Sequence, residues 1–329
     1  MSISKRHLVH RLLSLFIAVL FIPILALAEA PPKPEGFATE ADVMKAIATK
    51  KVPLINVTAP PAADVIVEKD IEYARVGDRA LKLDLYRPKN QKGVVPGVIV
   101  IHGGGWKGGS KGDMRLYGEF YAKLGYVAAS ISYRLTNEAT HPAQVTDAKA
   151  AVRWMRANAE KYSIDPTKIA ASGNSAGGHL SMMLGYVHDM PELEGDYGNV
   201  GVDSRVQAVI NFYGPVDLTL DDAHDVGVVV DLMGGKKFSE DQRPYMLESP
   251  MFHLTKDDPP TITFHGSIDS IVAIKQAELL DAKLAELGIA HEAHRLEGWP
   301  HTMDLAQPVF DYCSWHIKAF LEKQLPLPK

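Results

Sequence analysis

Ser175 sits in Gly173-Asn174-Ser175-Ala176-Gly177, between an apolar run, "KIAAS", and a helix-like stretch, "HLSMMLGYV". A serine raised on a very tight strand-to-helix turn needs glycines two positions before and after it, where a Cβ would collide. Gly178 extends that allowance to the packing of the helix on the sheet. The helix start beyond Ser175 presents free N–H groups and a positive dipole end to the reacting centre. This arrangement suits nucleophilic attack, provided a neighbouring imidazole takes the hydroxyl proton. A second stretch, "HGGGWKGG" at 102–109, gives up side chains so that something can approach the main chain. Its Gly103, Gly105 and Gly108 fit a dinucleotide-binding pattern, and the same letters fit a loop whose amides stabilise an oxyanion. The dinucleotide pattern requires an acidic residue about twenty positions on, at the end of the next strand. That strand, "YVAASISYR", ends in Tyr133-Arg134, so the match is accidental.

The elements around these stretches have a consistent rhythm. "VIVEKDIEYARVGDRALKLDLYRP" alternates apolar and polar residues about Val76-Gly77-Asp78-Arg79 and predicts an antiparallel hairpin. "GVIVIHGG", "YVAASISYR", "KIAASGNS", "VQAVINFYG" and "PTITFHGS" are short apolar runs of the kind found in buried strands. "QVTDAKAAVRWMRANAEKYS" predicts one helix with Val145, Ala148, Val152 and Met155 on its buried face. "AIKQAELLDAKLAELG" and "VFDYCSWHIKAFLEKQL" predict two more, and a short helical piece is expected around Glu40–Thr49. Strands alternating with helices imply an α/β fold with a mostly parallel central sheet, helices on both faces and an N-terminal antiparallel hairpin.

Bulk properties narrow the function classes. The chain has 329 residues, 46% apolar, and a formal net charge of −5. That balance does not suggest nucleic acid, whose binding normally shows as a clustered basic surface. Lys5, Arg6 and Arg11 precede the apolar run Leu12–Ala28, which closes on Ala26-Leu27-Ala28. A basic region, an apolar core and a small-residue site describe a secretory signal peptide, cut after Ala28 or Ala30, rather than a retained anchor. The expected organisation is a signal peptide at 1–28, an extension at 29–63 and a catalytic domain at 64–329. The expected location is the periplasm or the medium, with no stable membrane span after cleavage. Cys313 is the single cysteine, which excludes an intramolecular disulfide; it reads as core filling.

The base and acid follow from position. In α/β-hydrolases the acid comes after the nucleophile in the chain and the histidine after the acid. Asp269 follows the apolar run "PTITFHGS", and His301 follows the turn Gly298-Trp299-Pro300. Asp269 would fix the His301 tautomer, leaving the other ring nitrogen facing Ser175. Asp217 is the rival acid, at the end of an earlier strand. Asp304 and Glu297 read as solvated loop charges, and His265 and His179 as structural hydrogen-bonders. His291 and His294 in "HEAH" do not match H-E-x-x-H, and no metal or other cofactor is expected.

Together these segments resemble α/β-hydrolase fold esterases, in the branch related to hormone-sensitive lipase and to bacterial feruloyl and acetyl-xylan esterases. The likeness is carried by "HGGGW" (102–106), "SYRL" (132–135), the segment 142–169, "GNSAGGH" (173–179), "HGSIDSIV" (265–272) and "GWPH" (298–301). It implies Ser175 as nucleophile, Asp269 as acid, His301 as base, and an oxyanion hole of the Gly104, Gly105 and Ala176 amides. Position 174 departs from relatives that carry Asp or Gly there. Residues 221–250 correspond to the variable insert, where substrate preference would reside. On this reading His102 braces the loop, Trp106 either walls the acyl pocket or only packs, and Gly108 and Gly109 serve loop flexibility. The expected substrate is a small-molecule or carbohydrate-linked ester with a short acyl group, since no extended apolar lid is evident. An amide-cleaving relative is the alternative within the fold. A binding protein on a dead hydrolase fold would need a broken triad position, and none is broken.

Overall fold

The hairpin forms as the alternation predicts, with β1 (Val65–Val76) and β2 (Arg79–Pro88) joined by Gly77-Asp78, Gly77 at φ +55°. The computed structural model describes residues 29–328; the expected signal peptide at 1–28 lies outside the described residues. Six further strands follow: β3 (Val95–Ile101), β4 (Val127–Ile131), β5 (Ile164–Asn174), β6 (Ala208–Phe212), β7 (Thr261–Gly266) and β8 (His291–Leu296). They form one sheet in the order β1-β2-β4-β3-β5-β6-β7-β8. β2 pairs antiparallel with β1 and β4, and every other pairing is parallel.

The helices are α1 (Glu40–Ala48), α2 (Arg115–Leu124), α3 (Ala143–Ala157), α4 (Ala159–Tyr162), α5 (Ala176–Tyr186) and α6 (Pro191–Glu194). After them come α7 (Gly227–Leu232), α8 (Arg243–Leu247), α9 (Lys275–Leu287) and α10 (Gln307–Gln324). Every residue of β3 is buried because both sheet faces are covered. Ile99 and Ile101 enter one core with Val145 and Leu180 of α3 and α5. Val98 and Val100 enter the other, with Val43 of α1, Tyr121 of α2 and Val309 and Cys313 of α10.

Helix α3 departs from the sequence reading in two ways. It ends at Ala157, where the Asn158 side chain joins its own N–H in donating to the Trp154 carbonyl, at 2.9 Å. It is also buried on its charged side. Asp147 meets Arg134 at 2.7 Å, and Lys149 and Arg153 meet Glu194 of α6 at 2.7 and 2.8 Å. Buried charges persist only when paired in this way.

The segment before the hairpin packs on the end of the chain. Phe37 N–H donates to Gly298 O at 3.1 Å, and its ring stands edge-on to Trp299. Ile55 N–H donates to Leu305 O, and Gln307 N–H to Pro53 O. These bonds strap the loop that carries His301. Among the described residues no helix is long and apolar enough to cross a membrane.

Candidate active site

β5 delivers Ser175 into a backbone conformation that few L-residues adopt, φ +54° and ψ −121°. Such geometry costs about 1–3 kcal/mol and persists only where its surroundings hold it. The Ser175 N–H donates to Phe212 O at 2.8 Å, tying the elbow to the end of β6. The flanking glycines are steric necessities. A Cβ on Gly173 would strike the Gly177 carbonyl and lie 2.7 Å from Ile101 O. One on Gly177 would meet the Ile101 and His102 carbonyls, and one on Gly178 would come 2.5 Å from Asn211 Oδ1.

Asp269 leaves the end of β7, and His301 follows β8 through Gly298, at φ +70°, and the buried Trp299. The structure brings both to Ser175. His301 Nδ1 lies 2.6 Å from Asp269 Oδ2, and His301 Nε2 lies 2.9 Å from Ser175 Oγ. Asp269 Oδ1 accepts from the N–H groups of Ile271 and Val272 at 2.9 and 2.8 Å. Burial opposes its ionisation, but bonds from His265, His301 and the Val272 amide outweigh burial and hold the carboxyl well below the ordinary range. Asp269 is thus an ionised partner that orients the imidazole, and Nε2 is placed to receive the serine proton.

Gly103, Gly104, Gly105 and Ala176 line the same cavity as Ser175 and His301, about 520 Å³ in volume. Gly104 and Gly105 hold φ +103° and +58°, and neither N–H has a backbone partner among the described residues. Ala176 opens α5, so its N–H precedes the helical ladder. A Cβ on Gly103 would lie 2.8 Å from Asn174 O, so the two loops touch. His102 braces the loop through Nδ1 to Gly103 O at 2.7 Å and by stacking on Tyr133.

Gly109 is not a flexibility residue as the sequence suggested. It holds φ +94°, and a Cβ there would strike the His102 ring and come 2.8 Å from Gly103 O. Trp106 both lines the cavity and packs, buried against His179, whose Nδ1 receives its indole N–H at 3.3 Å. The insert contributes Ala223, Val226, Val228 and Val229 to the wall, and Ile271 and Leu305 stand exposed at the mouth. A larger concavity of about 720 Å³, lined by His188, Arg205 and Asp258, holds no comparable nucleophile and base.

The remaining candidates fall elsewhere. Asp217 accepts from the Thr219 N–H and hydroxyl in its own turn. His179 Nε2 lies 2.6 Å from Glu248 O, a structural bond. His265 Nε2 lies 2.8 Å from Val272 O and 3.4 Å from Asp269 Oδ2, so it supports the acid rather than acting as the base. Glu297 is exposed and pairs with Arg295. Asp304, by contrast, is no solvated loop charge. It is fully buried and accepts from Tyr117 Oη at 2.6 Å and from Tyr213 Oη, and burial raises its pKa. Tyr213, whose ring lies 4.5 Å from the His301 ring, went unnoticed in the sequence. Its one local signal is its place directly after β6, at the carboxyl end of a parallel strand, where α/β proteins build their sites. His291 and His294 do not converge: His291 turns to Ile289 O and Asp281, His294 to Tyr312 and His316.

The chain is similar to known esterases in sequence and in architecture. The BD-FAE family model matches residues 83–284, more than half of the chain. The probable carboxylic ester hydrolase LipM of Mycobacterium tuberculosis is 33% identical over 65% of this chain and 51% of its own length. Esterase LipC of the same organism is 30% identical over 69% of this chain and 58% of its own length. The chain therefore spans little more than half the length of these curated relatives. Among solved structures, a truncated carbohydrate esterase from gut microbiota superimposes with a TM-score of 0.70 at 30% identity, covering 81% of this chain and 99% of that one. A butyrate-bound thermophilic esterase from Thermogutta terrifontis gives 0.70 at 28% identity, covering 81% and 97%. On sequence and architecture together, the chain belongs to the BD-FAE family and has the α/β-hydrolase fold of the esterases it matches.

Proposed function

We propose that this protein is a serine carboxylic-ester hydrolase for short-chain acyl esters. The observation that carries the reading is the continuous relay from Ser175 Oγ through His301 to the buried Asp269 carboxylate, opening on the 520 Å³ cavity. Ser175 attacks the ester carbonyl while His301 Nε2 takes its proton. Asp269 stabilises the resulting imidazolium without itself accepting the proton. The Gly104, Gly105 and Ala176 amides receive the developing oxyanion. His301 then returns its proton to the departing alcohol, and a water molecule repeats the sequence on the acyl-enzyme.

Substrate size and charge follow from the wall. Val228 and Val229 bound the cavity, which favours short acyl groups, and solved forms of the Thermogutta esterase carry butyrate or propionate. The carboxylates on the wall are Asp113 and Asp222, with no lysine or arginine among the described lining residues, which favours neutral esters. The gut-microbiota neighbour is a carbohydrate esterase, and it supports an acylated polysaccharide as the natural substrate class. The basic and apolar pattern of residues 1–28 supports export, which mass spectrometry of the mature N-terminus tests.

The central test is hydrolysis of p-nitrophenyl acetate, butyrate and octanoate beside acetylated xylan. Activity should fall with acyl length, and Ser175→Ala should remove up to about a millionfold of kcat. Undiminished turnover by Ser175→Ala would overturn the mechanism.

A further inference from the structure

We propose that Glu292, His294 and His316 form a three-ligand site for a divalent late transition-metal ion, with zinc as its probe. Glu292 and His294 lie two positions apart on β8, at the edge of the sheet, so their side chains share one face. Helix α10 brings His316 over that face, its ring 4.2 Å from that of His294. One ligand atom from each residue lies within 4.8 Å of the other two. None of the three lines the Ser175 cavity.

The spacing suits a small tetrahedral ion. With metal–ligand bonds of about 2.0–2.2 Å, tetrahedral ligand atoms stand roughly 3.3–3.6 Å apart. His294 Nε2 and Glu292 Oε2 are already 3.6 Å apart. Two imidazoles and one carboxylate favour zinc and its late neighbours over magnesium or calcium, which prefer oxygen ligands.

The second ring nitrogen is provided for. His294 Nδ1 lies 2.9 Å from Tyr312 Oη, and donation to that oxygen leaves the Nε2 lone pair directed at the site. Metal-binding histidines are oriented by such an outer bond. His294 Nε2 is buried yet has no hydrogen-bond partner, an atom that an ion would satisfy. Access remains open, because the Glu292 side chain keeps 37% of its exposure and leaves room for a water ligand. Lys33, whose charge acts on both rings, is itself exposed to solvent. A bound ion would staple the edge strand to the C-terminal helix, just before the turn that presents His301.

The test is calorimetric titration of chelator-treated full chain with zinc chloride, paired with thermal unfolding. We expect one saturable zinc per chain, a melting temperature that rises with zinc, and no effect of magnesium at the same concentration. His316→Gln and Glu292→Gln, both on partly exposed side chains, should each weaken zinc at least about tenfold while circular dichroism stays native. Tyr312→Phe should weaken it by about 10–100-fold through the lost outer bond. Absence of binding to the wild type, or binding unchanged in both His316→Gln and Glu292→Gln, would overturn the site.

Discussion

Removing the Tyr213 hydroxyl tests how the buried Asp304 carboxyl beside the active site is held. Asp304 has no exposure, and its two oxygens accept from Tyr117 and Tyr213. Tyr213→Phe deletes one donor and strands an oxygen where water does not reach, and Tyr117→Phe strands the other. A hydrogen bond to a charged group contributes about 1.5–3 kcal/mol, and a neutral one about half as much. We take about 2 kcal/mol for each. Spread over about 300 residues at about 2.1 cal/mol/K each, that loss lowers Tm by about 3 °C. The two substitutions should be similar in stability and different in catalysis. The Tyr213 hydroxyl anchors a ring that lies against His301, whereas the Tyr117 ring packs on Phe212 and Phe310. The proton balance supplies a second signature. The Asp304 pKa is raised in the folded state, so its contribution is present below the unfolded value near 3.9 and is lost as pH rises through the folded value. Asp304→Asn should remove that loss. Thermal unfolding at several pH values, with p-nitrophenyl acetate rates on the same samples, reads all of this. Wild-type melting temperatures in both Phe variants, or an equal fall of kcat/KM in Tyr117→Phe and Tyr213→Phe, would refute the reasoning.

Three further outcomes follow from the same geometry. Asp269→Asn should cost about 10⁴-fold in kcat by analogy with other triads, while Asp217→Asn leaves most activity, as steady-state kinetics will show. Val228→Ala, which enlarges the wall opposite Gly105, should shift the acyl preference toward longer chains in a p-nitrophenyl ester panel. The Asp269 pKa is lowered in the folded state, so its stabilisation is present above about pH 4 and is lost as pH falls. Acid unfolding should be correspondingly flatter in Asp269→Asn.

Much of the site is written in local pattern. The glycines around Ser175 are readable as a pattern, and apolar runs report strands buried on both faces. Yet only Gly173 is blocked within the turn itself, by Gly177, while Gly177 and Gly178 face Ile101, His102 and Asn211 at the ends of neighbouring strands. The order of Ser175, Asp269 and His301 along the chain was enough to nominate them, because strand ends in a parallel sheet share one edge. What sequence alone misjudged depends on neighbours that only the folded chain brings together. Asp304 reads as a loop charge until Tyr117, 187 residues away, and Tyr213, 91 residues away, close over it. Gly109 reads as slack until the His102 ring occupies the space of its Cβ. The burial of Asp147, Lys149 and Arg153 has no local sign either, since it depends on Arg134 and Glu194 covering them. Likewise Glu292 and His294 acquire a third neighbour only when α10 folds across β8. Steric demands leave their mark in residue type, as a glycine where no Cβ fits, whether the obstacle is near or far along the chain. Burial and charge pairing are set by whichever distant surface arrives, and only the tertiary structure decides that.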